Sequence, residues 1–209
     1  MAIEFKVNSA EVARSLAADA KQIRFATVLA VNDLAKRVQD AETAALPHVL
    51  DRPTPFTMRA FGTKGATKQT MQAEVFAKQT QAKYLAPSEF GGQQVLGNAR
   101  RIRTPVDAKL NAYGSLPKGF IARKIAGGAL STPGKRGFFI GVVKGVNGLW
   151  QRVPGTKTTP PSLKLLVAFT KPVEVKPKLG FAQRALQVVR DNAAPAFADA
   201  LRRALKSAR

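Results

Sequence analysis

Residues 138 to 153, which read FFIGVVKGVNGLWQRV, decide the fold of this chain. Two apolar runs, at residues 138 to 144 and 149 to 153, flank a short segment that ends in Asn147-Gly148. Asn-Gly is the favoured pair for a tight type I′ turn, because both central positions of that turn need φ above zero. The stretch therefore predicts a β-hairpin, with Trp150 packed in its core.

Three further segments carry the pattern of strands. Residues 163 to 169 form an apolar run after a Thr-Pro loop, which predicts a central strand beside the hairpin. Residues 71 to 78 alternate between apolar and polar side chains, and so do residues 3 to 7. Together they predict a small antiparallel sheet.

Helical periodicity dominates both ends of the chain. Asn8 is placed to cap a first helix that Pro47 ends, and a second helix is predicted from about residue 179 to 208, with a kink or break at Pro195. Apolar residues three and four apart define one face of each helix. The faces consist of Val12, Leu16, Ala20, Ile23, Val31, Leu34, Val38, Ala41 and Ala45 in the first helix, and Ala182, Leu186, Val189, Ala193, Phe197, Ala200 and Ala204 in the second.

These elements predict an α+β fold in which a long N-terminal helix and a kinked C-terminal helix pack on a small antiparallel sheet. We expect a single domain over residues 1 to 209, with its core in residues 1 to 78 and 138 to 209. Residues 79 to 137 are interrupted by many Gly and Pro residues and show no sustained period. They predict a long irregular basic excursion, an arm within that domain.

Charge is unevenly distributed along the chain. The formal net charge is +21, and residues 52 to 173 hold 20 Lys and Arg against three carboxylates, Glu74, Glu89 and Asp107. A field of this size favours polyanions or acidic protein surfaces and makes such contacts salt-dependent. The arm and its flanks therefore predict an interaction surface.

The candidate contacts in this region are of two kinds. The candidate contacts with polyanions or acidic partners are Arg100, Arg101, Arg103, Arg123, Lys124, Lys135 and Arg136. The candidate apolar contacts between subunits are Val95, Leu96, Ile102, Leu110, Phe120, Ile121 and Ile125, with Val106 beside them. Apolar islands of this kind are expected to be buried against neighbouring subunits.

The sequence shows no motif for catalysis. It contains no Cys, and its one histidine, His48, has no Ser or carboxylate partner at a recognisable spacing. Gly134-Lys135-Arg136-Gly137 lacks the full phosphate-loop pattern, and a turn that leads into a strand is the better interpretation. We expect no enzyme activity, cofactor or metal, no membrane partner, and a soluble protein made in a cytoplasm.

The C-terminal half resembles a family of phage proteins. The resemblance rests on Gly119-Phe120-Ile121, the hairpin end Gly148-Leu149-Trp150-Gln151-Arg152-Val153, the apolar strand at 163 to 169 and a basic final helix interrupted by Pro195. In this order they resemble the minor tail protein Z family of lambdoid phages. Proteins of that family complete the phage tail and join it to the head. The segments at 51 to 56 and 109 to 114 depart from that pattern.

The resemblance implies a virion protein of the tail or neck, made in the host cytoplasm. It implies a ring, commonly of six copies, between the tail terminator or tail tube and the head connector, where the end of the packaged DNA is a further contact. An alternative from the charge alone is a basic nucleic-acid-binding module that uses residues 52 to 137. An enzyme is the third and weakest hypothesis.

Overall fold

The computed structural model describes residues 9–93, 101–127 and 137–207, and it confirms the α+β fold. The chain divides into two compact units. Unit 1 consists of residues 1–49, 55–81 and 179–209, and unit 2 consists of residues 50–54 and 82–178. The assignment of residues 1 to 209 to a single domain stays a prediction.

Unit 1 is built on two long helices. They are α1, Ser9–Val49, and α5, Phe181–Ser207, which pack together. Alanines form a buried cluster at their interface, in which Ala26 and Ala30 meet Ala200 and Ala204. Small side chains let the two helices approach closely over this stretch.

Both helices differ in detail from the prediction. Helix α1 continues two residues past Pro47, because a proline in the last turn removes one backbone hydrogen bond without blocking the residues that follow. Helix α5 continues through Pro195 without a break. The predicted N-terminal strand at residues 3 to 7 and the cap Asn8 lie outside the described residues.

The buried face of α1 includes a charged residue that was not part of the predicted apolar face. Glu42 is completely buried between Val38 and Leu46, whereas Ile23, predicted for the core, is half exposed. Arg184 of α5 donates to a Glu42 carboxylate oxygen at 2.5 Å and to the carbonyl of Leu179 at 2.7 Å. The ion pair therefore allows a carboxylate to occupy a position in the helix interface.

A small β-hairpin completes unit 1. After the short helix α2, Pro55–Met58, the strands β1, Phe61–Lys64, and β2, Glu74–Ala77, pair antiparallel. The Asn32 side chain accepts from the backbone N–H of Ala66 at 2.7 Å and donates to its carbonyl at 3.1 Å. The hairpin is thus fixed to α1 by the side-chain amide of Asn32.

Unit 2 contains a four-stranded antiparallel sheet. Its strands are β4, Ile102–Pro105, β5, Gly137–Val143, β6, Val146–Val153, and β7, Ser162–Thr170, in the order β4-β7-β6-β5. The predicted central strand is confirmed as β7, which lies between β4 and β6. A minor two-stranded sheet pairs β3, Gly92–Gln93, with β8, Glu174–Val175.

The hairpin is confirmed, but its turn is not at Asn147-Gly148. The turn residues are Lys144 and Gly145, with φ of 48° and 80°, and the register pairs Val143 with Val146. Gly148 lies within β6, where an added Cβ would stand 2.4 Å from the carbonyl oxygen of Val167. The glycine is therefore required for the close approach of β7 and not for a turn.

Residues 79 to 137 are more regular than predicted. They include α3, Gln79–Phe90, the strands β3 and β4, and α4, Phe120–Ala126. The prediction of a long irregular excursion was wrong for these stretches, because each element is too short to show a sustained period. Strand β4 is recruited by pairing with β7, a contact distant in sequence.

Candidate polyanion-binding surface

Helix α4 lies on one face of the unit 2 sheet. Its apolar side chains, Phe120, Ile121 and Ile125, pack against a cluster whose centre includes Leu149 and Val167. Gly119, with φ of 70°, precedes the helix, a conformation that glycine adopts readily. The packing within unit 2 accounts for three of the predicted inter-subunit contacts without a neighbouring copy.

Lys124 is held on this face by two aromatic rings. Its Nζ lies 4.9 Å from the centroid of Phe138 and 5.7 Å from that of Phe120. Arg152 stands 4.7 Å over the ring of Phe139, which points to the opposite face of the sheet because it follows Phe138 directly. Such contacts stabilise by about 0.5–1 kcal/mol at exposed sites and restrict where the charge lies.

Four further cations, on α4 and β4 or directly before them, are exposed. Arg101 and Arg103 lie at and within β4, Lys118 precedes α4, and Arg123 is on it. Within the described ranges no carboxylate forms an ion pair with any of the four. These four residues and Lys124 are named the α4 cationic surface.

Arg52 adds a further exposed cation to unit 2. Its guanidinium bonds the adjacent carboxylate of Asp51 at 3.2 Å, and it lies where a side chain on Gly114 would clash. The hydrogen bond and the charge of Asp51 raise the pKa of Arg52. This cation is therefore partly neutralised, unlike those of the α4 cationic surface.

A groove of about 660 Å³ opens beside α4. Its lining combines the cations Arg103 and Lys118 with apolar surface from Pro105, Leu116 and Phe120. No carboxylate contributes to its lining in the described part of the chain. The arrangement suits an anionic group carried on an apolar stem or backbone, by charge and by shape.

The other predicted site residues lie in different places. Arg103 lines the groove, Arg123 and Lys124 lie on α4, and Arg101 directly precedes β4. Ile102 is half-buried, and Leu110 and Val106 are 39% and 55% exposed. The predicted residues that lie outside the described ranges are Arg100, Lys135, Arg136, Val95 and Leu96.

Lys118 is the member of the surface that the sequence did not indicate. It is a lone lysine between Pro117 and Gly119, outside any cluster of basic residues. The Pro-Lys-Gly turn directly before an apolar, basic helix was the available signal. Glu42 was missed in unit 1 because a charged residue is rarely placed in a core from sequence.

The described residues hold no recognisable metal site and no membrane-spanning helix. Over residues 9–93, 101–127 and 137–207, no group of three His, Cys, Asp or Glu side chains could hold a metal ion. His48 is exposed in the last turn of α1. None of the helices in these ranges combines the length and the apolar character needed to span a membrane.

Comparison with known proteins gives no relative. No family model matches the chain, and neither a curated protein nor a solved structure matches it. The resemblance to the minor tail protein Z family therefore stays a prediction.

Proposed function

We propose that the protein is a structural virion subunit that completes a phage tail or joins it to the head, with no catalytic role. It assembles with copies of itself, as a ring that the resemblance sets at six, and it meets acidic surfaces of the tail terminator or tail tube and the head connector. The observation that carries the proposal is the α4 cationic surface. Its five cations have no ion-pair partners in the described residues, and two of them, Arg103 and Lys118, line an amphipathic groove.

Exposed apolar side chains of unit 2 support an assembly role. Several large ones are well exposed in the isolated chain, and surfaces of this kind are commonly buried in complexes. They include Phe90 at 81%, Val106 at 55%, Tyr113 at 40% and Leu110 at 39%. A neighbouring subunit or neck protein would remove them from water.

The charge of unit 2 indicates the nature of the neighbours. Unit 2 holds 18 Lys and Arg against four carboxylates. Copies of such a unit repel one another at low salt, and an acidic surface or a polyanion beside them would offset that repulsion. The proposal therefore includes acidic neighbours above or below the ring.

The test is the mass of the purified protein in solution, at low and high salt, with and without duplex DNA, combined with electron microscopy of negatively stained particles. A discrete ring, formed alone or on addition of tail and connector proteins, supports the proposal. A protein that stays monomeric with those partners and coats DNA stoichiometrically overturns it.

A nucleic-acid-binding module is the second candidate, favoured by the same unpaired cations. The test is a triple variant, Arg101→Gln, Arg103→Gln and Arg123→Gln, titrated with duplex DNA at several salt concentrations. Each lost phosphate contact should reduce the slope of log affinity against log salt by about 0.9.

A matched control removes three exposed cations from unit 1, with Lys36→Gln, Arg190→Gln and Arg203→Gln. It changes the net charge equally. If both triple variants weaken DNA binding alike, the binding follows total charge and the α4 cationic surface is not a DNA site.

A further inference from the structure

Strand β5 is an edge strand of unusual composition. It lies at one end of the order β4-β7-β6-β5, and no described strand pairs with its outer side. Its sequence, GFFIGVV, has no charge and no proline, although charged residues and proline are the usual protection of an exposed edge. Ile140 and Val142, both on the face that carries α4, are 49% and 67% exposed.

The register shows which backbone groups of β5 face outward. Val143 and Val146 flank the two-residue turn, so they form a hydrogen-bonded pair. Pairs alternate along an antiparallel ladder, and the next pairs to bond inward are Gly141 with Gly148 and Phe139 with Trp150. The N–H and C=O groups of Phe138, Ile140 and Val142 therefore point away from β6.

We propose that β5 pairs antiparallel with β5 of a second copy of the chain, about a two-fold axis at Ile140. In this register Ile140 lies opposite its counterpart, and Phe138 lies opposite Val142 on the same face. All three outward residues of each strand then exchange hydrogen bonds with the other copy. On the opposite face, Phe139 of each copy lies opposite Gly141 of the other.

The charge of unit 2 supports a second copy at this edge and not at the other. The opposite edge, β4, carries Arg103 and directly follows Arg101, so two copies would bring like charges together there. Residues 137 to 143 are neutral within a unit of large positive charge. They form a seven-residue strand on which two cationic copies can meet without direct repulsion.

Repulsion between the rest of the two units gives this pairing a distinctive salt dependence. Lys144 follows the strand, and the excess of cations in unit 2 opposes association at low salt. The distance over which charges act on each other, the Debye length, falls to about 8 Å at physiological ionic strength and to about 3 Å at 1 M salt. The dimer should therefore strengthen as salt rises, whereas binding to a polyanion weakens.

The inference goes beyond the proposed function and does not depend on it. A two-fold contact joins copies in pairs whether or not those pairs enter a ring, a tail or any complex with DNA. A chain that forms the β5 contact but no ring would contradict only the proposed function. A chain that forms a ring without the β5 contact would contradict only this inference.

Cysteine cross-linking tests the register, because the natural sequence has no Cys. Ile140→Cys should link to itself, by oxidation or with a short bis-maleimide, and the linked fraction should rise with salt. Val142→Cys alone should link at least fivefold less, while a mixture of Phe138→Cys and Val142→Cys chains should link. Leu163→Cys, on β7 and 43% exposed, is the control for random collision.

A second variant tests the contact without cysteine. Ile140→Lys with Val142→Lys places charge on exposed positions, and we expect a monomer at all salt concentrations with the Trp150 fluorescence of the natural chain. A natural chain that is monomeric at every salt and concentration, or Ile140→Cys linking no faster than Leu163→Cys, would overturn the proposal. Equal linking of Ile140→Cys and Val142→Cys would overturn the register.

Discussion

The two units use their charged residues in different ways. Unit 1 has 16 Lys and Arg against nine carboxylates, and it forms ion pairs along its helices, including Arg37 with Asp33 at 2.8 Å and Arg202 with Asp199 at 3.0 Å. Unit 2 has more than twice as many cations per carboxylate as unit 1, and its α4 cationic surface is unpaired in the described residues. Charge in unit 1 therefore serves its own packing, whereas charge in unit 2 is available to partners.

The only Trp of the chain makes this comparison measurable. Trp150 lies in unit 2, so its fluorescence follows the unfolding of that unit. The two longest helices lie in unit 1, so far-UV circular dichroism follows mainly that unit. A variant in either unit can thus be followed with one signal for each.

The largest effect is expected at the buried ion pair of unit 1. Arg184→Met removes an ion-pair partner of Glu42, which is completely buried, so we expect the free energy of unfolding to fall by about 3–5 kcal/mol in the circular dichroism transition. Arg202→Met, which breaks an exposed pair, should lower it by less than about 1 kcal/mol.

A double variant shows whether the loss is due to an uncompensated charge. Glu42→Leu with Arg184→Met replaces both charges by apolar groups and should recover much of the stability. If the fluorescence transition shifts as much as the circular dichroism transition, the two units unfold together and not independently. If Arg184→Met and Arg202→Met are equally mild, the ion pair does not stabilise unit 1.

The next effect is expected in the sheet of unit 2. Gly148→Ala places a methyl group 2.4 Å from the carbonyl oxygen of Val167, so we expect a loss of about 1–3 kcal/mol in the Trp150 transition. Gly141 lies directly opposite Gly148, but a Cβ there would be 3.4 Å from the Phe139 ring, an ordinary contact. Gly141→Ala is the matched control and should be nearly neutral; equal losses would refute the close-approach explanation.

The sequence predicted those parts of the fold that local pattern determines. Long helical periodicity gave α1 and α5, and apolar runs gave β5, β6 and the central strand β7. Glu42 was not predicted in the helix interface, because Arg184, which compensates its charge, lies 142 positions away in the sequence. Strand β4 was missed because its pairing with β7 is likewise distant in sequence.

The candidate surface was predicted only in part, for a similar reason. Charge density located the region, and Arg101, Arg103, Arg123 and Lys124 were identified within it. The sequence could not show that Phe120, Ile121 and Ile125 pack on their own sheet, since an apolar island looks the same whether it faces a core or a neighbour. Nor could it indicate Lys118, which only the fold brings beside Arg103 in the groove.

The smallest effect is expected at the turn of the hairpin. Lys144 has φ of 48°, which costs a residue with a side chain about 1–2 kcal/mol, and Asn tolerates this conformation better. Lys144→Asn would also create the favoured Asn-Gly pair with Gly145, so we expect the Trp150 transition to gain about 0.5–1 kcal/mol. The measurement is chemical denaturation followed by fluorescence.

Lys144→Gln separates the two ways in which this change could stabilise unit 2. It removes the same charge but has no preference for the left-handed conformation, so the backbone explanation predicts a gain for Asn and none for Gln. A gain shared by both variants would contradict that explanation, and it should then shrink at high salt. In that case the excess of cations would itself destabilise unit 2. Unit 2 would then be less stable because it keeps these cations available for a partner.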